Sequence, residues 1–356
     1  MDGRTKIGVI TASEYAVESQ ALQLASNAEG TFEIVASTSV SESSLAPARP
    51  TRAYRDCADF VQGEGRMGAD SRLDLLCFIC PGFDDWTHIA ECLRRDYPVL
   101  CVDPILPWPI AASEDIFLSA AKKNRFILGF PITCFPMFRE MAAIIGDGST
   151  GEISNIDLVL QLSTHGDRIP IWKTLSLIAG TFHTLGATEI KKVLVDGSNE
   201  NEGCEFSLNF LLRLSPRILS SVRVRTTAKL IRARFELEIR TIGRTACWSM
   251  SSPDDLTYAD DDGQEYVSQR GNPYTGEAAR SLARLRPGNP EGAIQALGSF
   301  LSWSRDTALQ LPCGDQKPFD LGIIDPEELH GVNQFVIKLG EHLGKLGDPP
   351  QGSPIS

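Results

Sequence analysis

The sequence predicts a two-part α/β protein, a doubly wound parallel sheet followed by a second α/β domain with a large, mostly antiparallel open sheet. Three observations support this. The chain has 356 residues, 42% of them hydrophobic, which is more than one ordinary core accommodates. Its first third alternates short apolar runs with helical segments, as parallel sheets covered on both faces do. From about residue 150 the strands lengthen and take a period of two. The expected boundaries are 1–131 for a Rossmann-like domain, 132–347 for the second domain and 348–356 for a disordered tail.

In order, "KIGVI" reads as a strand, "VESQALQLASN" as a helix and "FEIVAS" as a second strand. A Ser/Pro-rich loop follows, then a short helix at "CADFVQ", the strand "DLLCFIC", a helix at "WTHIAECLRR", the strand "PVLCV", a helix at "EDIFLSAAKKN" and the strand "RFILGF". In the second part "RARFELEIR" places Phe235, Leu237 and Ile239 on one face and Arg234, Glu236, Glu238 and Arg240 on the other, a half-solvated strand. The polar stretches "DGSNENEG" and "PDDLTYADDDGQE" read as solvated turns between strands. Two helices close the chain, one capped by Asn289 and Pro290, the other by Asp325 and Pro326.

A formal net charge of −12 argues against a nucleic-acid or membrane-surface partner. The start, MDGRTK, runs straight into a strand, and no apolar run is long enough to span a bilayer, so the expectation is a soluble cytoplasmic protein. Nine scattered cysteines suit reduced core thiols. Cys77 and Cys80 are three apart in a strand and point to opposite faces, so no metal site is expected.

The first strand hands over to a helix through "IGVITASEYA", where a G-x-G-x-x-G turn would cradle a pyrophosphate. Thr11, Ser13 and Ala16 stand at the glycine positions, and Glu14 adds a negative charge where phosphate would meet the helix dipole. After the second strand, Ser37, Thr38 and Ser39 replace the acidic residue that would hold a ribose 2′-hydroxyl. Thr11, Ser13, Ala16 and Thr38 are thus the cofactor residues, if a cofactor binds at all, and Arg49 or Arg52 would meet a 2′-phosphate.

Four segments, in order and spacing, resemble the Gfo/Idh/MocA family: "DLLCFICPGFDDWTHIAECL", "YPVLCVDPILP", "LGFPITCFPMFREMAAIIGDGSTGEISNI" and "RPGNPEGAIQALGSF". The resemblance runs nearly end to end and implies a Rossmann domain paired with a C-terminal α/β domain. The family's functional positions differ here. Its E-K-P lysine is replaced by Val102 and Asp103 before Pro104, and a carboxylate cannot polarise a reacting oxygen as an ammonium does. Its D-x-G-x-H-x-x-D segment corresponds to "AGTFHTLG", which keeps His183 but has Ala179 and Gly186 at the acidic positions.

By this analogy the cleft collects Phe83, Trp86, His88, Trp108, Phe135, Trp172 and Phe182 for a largely apolar small molecule, with Asp103 and His183 as catalytic groups. Three functions follow. The first is a non-redox enzyme promoting isomerisation or cyclisation, as in natural-product chemistry, with no cofactor expected. The second is an NAD(P)-dependent oxidoreductase with an atypical phosphate turn. The third is a regulatory or binding protein like the family's galactose-pathway repressors. A homodimer or larger assembly is expected through the C-terminal sheet, around residues 222–240.

Overall fold

The computed structural model describes residues 5–11, 32–38, 51–68, 71–79, 81–102, 104–106, 110–123, 125–130, 141, 151–163, 171–187, 189–201, 205–214, 217–227, 234–241, 244–249, 252–260, 265–269 and 329–343. The chain divides into two compact units, Met1–Cys134 with Pro290–His330, and Phe135–Asn289 with Gly331–Ser356. The first unit thus takes in Pro290–His330, which the sequence places in the second domain.

The first unit holds a six-stranded sheet of β1 (Thr5–Thr11), β2 (Phe32–Ser37), β3 (Arg52–Ala53), β4 (Leu75–Ile79), β5 (Val99–Val102) and β6 (Phe126–Gly129). Its order is β3-β2-β1-β4-β5-β6, and every pair is parallel. Every residue of β4, β5 and β6 is buried, which is why these strands read as unbroken apolar runs. The helices are α1 (Cys57–Glu64), α2 (Asp85–Arg94) and α3 (Ile110–Lys122).

Asp56 caps α1, its carboxylate accepting from the Asp59 N–H at 2.8 Å. A side chain at Gly8 would lie 2.6 Å from both Phe60 Cζ and Leu73 Cδ1, so glycine lets β1 meet its cover closely. On α2, Trp86, Ile89, Ala90, Cys92 and Leu93 form the buried stripe. That helix ends with Asp96 at φ 62°, its N–H bonding Leu93 O while the Tyr97 N–H bonds Cys92 O, both at 3.1 Å.

The second unit is built on an eight-stranded sheet: β7 (Ile153–Ser163), β8 (Lys192–Asn201), β9 (Glu205–Arg213), β10 (Leu219–Thr227), β11 (Arg234–Thr241), β12 (Arg244–Ser249), β13 (Ser252–Asp260) and β14 (Glu265–Gln269). The order is β14-β13-β12-β11-β7-β10-β9-β8, antiparallel except for the β7/β10 pair. One face is buried, with Leu212, Val222, Leu158 and Leu237 on successive strands. The other carries Arg213, Arg223, Arg225 and Arg240 together with the exposed Leu194, Leu211 and Leu219. Leu237 and Ile239 are buried and Arg240 is exposed, as the alternation in "RARFELEIR" requires.

The two polar stretches read as turns are largely strand. Residues 196–201 complete β8, and 252–260 form β13, paired with β12 on one side and β14 on the other. Backbone pairing sets these strands, so few apolar residues are needed; Gly197 fits because a Cβ there would lie 2.7 Å from Leu208 Cδ2. The helices are α4 (Ile171–Thr184) and α5 (Leu329–Leu343). The helix expected at "VESQALQLASN", that opened by Asn289 and Pro290, and the Asp325–Pro326 cap lie outside the described residues.

Candidate functional site

In the first unit the crossovers run in opposite directions from β1 and β4, so the carboxyl ends of these two strands flank the topological switch point of the sheet. β1 ends at Thr11; Ser13 and Ala16 lie outside the described residues. The end of β2 is closed by backbone. Thr38 N–H donates to Val9 O at 3.2 Å, and Tyr54 N–H donates to Ser37 O at 2.9 Å. Ser37 and Thr38 are both buried, so small hydroxyl side chains occupy the place where a ribose-binding carboxylate would project.

The loop after β4 is tied to the segment after β5. Ile105 N–H donates to Pro81 O at 3.0 Å, and the Trp86 indole N–H returns to Ile105 O, also at 3.0 Å. Asp103 and Trp108 lie outside the described residues, but their neighbours Pro104, Ile105 and Leu106 are buried. Phe83 and His88 are half-buried in and just after this loop. Asp85 Oδ2 accepts from the Gly82 N–H at 2.8 Å and holds the loop at the start of α2. Burial raises the Asp85 carboxyl above its usual range, against the opposing pull of that N–H and of His88.

Trp86, expected to line a substrate cleft, is a core residue instead: it has no exposed surface and meets Phe117 edge-on at 5.6 Å. Arg52, suggested for a 2′-phosphate, is engaged elsewhere, because α1 carries Glu64 back along the sheet to it. Its Nε and Nη2 donate to Glu64 at 2.7 and 2.9 Å, and Nη2 also reaches Ser71 O at 3.1 Å. Arg49 lies outside the described residues. No local pattern marks Glu64, twelve residues further on, as the partner of Arg52.

In the second unit, α4 is buried almost all round. Three of its hydroxyls are satisfied one turn back: Ser176 by Trp172 O at 2.6 Å, Thr181 by Leu177 O and Thr184 by Gly180 O, both at 2.8 Å. Trp172 and His183 are three turns apart and face α5. A Cβ on Gly340 would overlap the Trp172 ring, and one on Gly331 would lie 2.9 Å from His183 Cε1. Phe182 stacks on Phe335 at 5.8 Å, and His183 meets the same ring edge-on. Phe182 and His183 have no exposed surface, so the structure makes them packing residues of the α4/α5 pair rather than open site residues. Trp172 is half-buried, and Phe135 lies outside the described residues. Gly186 at φ 73° ends α4, its N–H reaching His183 O at 2.9 Å, which accounts for glycine at that position.

Among the described residues no three His, Cys, Asp or Glu side chains gather as a metal site requires, and no helix is long and apolar enough to cross a membrane. Cys77, Cys92 and Cys101 are buried free thiols whose pKa values burial pushes up, so they are poor nucleophiles.

No family model and no curated protein matches this chain. Solved structures do. It is similar to an oxidoreductase from Sinorhizobium meliloti, at 16% identity and TM-score 0.67 over 97% of this chain and 98% of the other. An oxidoreductase from Agrobacterium radiobacter, in complex with NAD+, L-tartaric acid and magnesium, matches at 13% identity and TM-score 0.66, covering 97% of each chain. An inositol dehydrogenase homolog from Azotobacter vinelandii, complexed with NAD+, matches at 15% identity and TM-score 0.63, covering 97% of this chain and 96% of the other. The chain shares their fold. It is a two-part α/β fold that pairs a Rossmann-like parallel sheet with a second, mixed sheet.

Proposed function

We propose that this chain is a divergent Gfo/Idh/MocA-type oxidoreductase that takes a nicotinamide dinucleotide at the carboxyl edge of its parallel sheet and acts on a largely apolar small molecule. The strand order β3-β2-β1-β4-β5-β6 carries the proposal, because its switch point is where this architecture binds dinucleotides. NAD+ in two of the similar structures supports the same assignment and weighs against the expectation of no cofactor. The residues at this edge fit the group in their chemistry: hydroxyls rather than a carboxylate at Ser37 and Thr38, and a peptide loop at Pro81–Gly82 after β4. The nicotinamide ring would supply the hydride donor or acceptor. In this reading the ends of β1 and β2, at Thr11 and Thr38, would take the adenosine half of the cofactor, and Phe83 follows β4 in a loop that Asp85 fixes.

A cofactor-free isomerase or cyclase is the second reading, favoured by Val102–Asp103–Pro104 in place of a lysine and by Thr11, Ser13 and Glu14 in the turn. Melting curves with millimolar NADH or NADPH separate the two. A ligand at 100 times its Kd adds about 2.7 kcal/mol of stability. A rise of several degrees with either nucleotide is the expected result; unchanged melting with both would favour the cofactor-free enzyme.

A homodimer through the outer face of the eight-stranded sheet belongs to the same proposal. Leu194 and Leu211 pair directly across β8 and β9, both about half exposed, among charges of both signs.

A further inference from the structure

We propose that Arg55 selects the 2′-phosphorylated dinucleotide, NADP(H), over NAD(H). The inference rests on the dinucleotide proposal above and concerns only the adenosine end of that site. β3 runs parallel to β2 in the register Ala36 to Arg52 and Ser37 to Ala53. Tyr54 N–H extends the ladder to Ser37 O, so the next residue, Arg55, stands at the carboxyl edge beside the end of β2. There the ribose 2′ position is read: a carboxylate takes a free hydroxyl and repels a phosphate, whereas an arginine takes the phosphate.

The described residues at the end of β2 offer no carboxylate, only the buried Ser37 and Thr38. The guanidinium of Arg55 is 84% exposed. It uses Nε on Asp56 Oδ2 at 2.9 Å, and among the described residues that is its only side-chain partner, which leaves Nη1 and Nη2 for an incoming anion. Asp56 is itself held as the cap of α1 by the Asp59 N–H and so orients Arg55 from behind. The acidic neighbours, Asp56 and Asp59, are both engaged with backbone amides of this turn, the latter with the Arg55 N–H at 3.2 Å. Arg52, three residues earlier, is not available for this role because Glu64 holds it.

The test is a titration of the full chain with NADPH and with NADH, followed by tryptophan fluorescence, on the native protein and on Arg55→Ala, with nucleotide-free melting curves confirming that the variant folds. A charge-assisted pair at an exposed phosphate is worth about tenfold in affinity. The expected result is NADPH binding at least tenfold tighter than NADH, with Arg55→Ala losing about tenfold for NADPH and nothing for NADH. NADH binding as tightly as NADPH would overturn the selection and leave the dinucleotide proposal standing. An NADPH preference that survives in Arg55→Ala would overturn the assignment to Arg55. Binding of neither nucleotide would overturn both. If Arg55→Ala does not fold, Arg55→Lys gives the same decision: it keeps charge but loses the fork, and an unchanged NADPH preference relative to NADH with the native profile would count against Arg55 as a bidentate reader.

Discussion

Arg52 grips Glu64 through two parallel hydrogen bonds, Nε to Oε1 at 2.7 Å and Nη2 to Oε2 at 2.9 Å, with the carboxylate only 2% exposed. The pair fastens the two-residue edge strand β3 to the end of α1. Removing one member leaves the other buried and uncompensated, which costs about 3 to 5 kcal/mol for a fully buried pair. Because Arg52 is 19% exposed, Arg52→Ala is expected to lose about 2 to 3 kcal/mol. Arg52→Met paired with Glu64→Leu should recover much of it. Urea unfolding of the three variants measures this, and a double variant no better than the single one would count against the pairing.

Tyr54 donates its hydroxyl to the same carboxylate at 2.8 Å. Burial and that hydrogen bond push its pKa to about 12. A raised folded pKa means that the stabilisation is fully present below the unfolded value near 10 and is lost as pH climbs through the folded one. Between about pH 10 and 12 the native protein should therefore lose stability faster than Tyr54→Phe. Melting temperatures across that range check it, and parallel curves would show that Tyr54 titrates normally.

Gly340 is the point where α5 passes beneath Trp172, and a Cβ there would lie 2.5 Å from Cζ3. Alanine normally favours a helix over glycine by about 1 kcal/mol, but overpacking a stiff indole costs about 1 to 3 kcal/mol. Gly340→Ala is expected to destabilise, and Trp172→Leu should rescue it. A Gly340→Ala protein more stable than the native one would mean that the helices are free to separate.

Leu211 is 50% exposed and sits directly across from Leu194. If the outer sheet face joins two copies, Leu211→Glu should shift the protein from dimer to monomer in light scattering at micromolar concentration, with its melting otherwise little changed. A monomeric native protein would remove the dimer.

Much of the first unit was legible because parallel strands are buried on both faces: "DLLCFIC", "PVLCV" and "RFILGF" each give a strand with every residue inside. β13 was not, since Pro253 and several acidic residues disguise a strand defined by backbone pairing to both neighbours. The site was harder. Trp86 and His183 are aromatic groups at places a family resemblance marks as functional, yet their burial depends on Phe117 and on α5, which no local pattern reveals. Gly331 and Gly340, nine apart on α5, were a usable signal for close helix contact. Arg55 was missed because its meaning comes from β3 lying beside β2, a pairing only two residues long.

β7 stands between β10 and β11, although both follow it by more than fifty residues in the chain. β8, β9 and β10 zip up as one meander and β11 to β14 as another, each from nearest neighbours in sequence. On the ribosome β7 therefore emerges first and waits, unable to find a mate until the hairpins after it exist. It joins as a keystone between two preformed halves, a long loop closure that makes this step slow and exposes its apolar face meanwhile. Substitutions in "ISNIDLVLQLS" should thus lower the yield of folded chains more than they lower the stability of chains already folded.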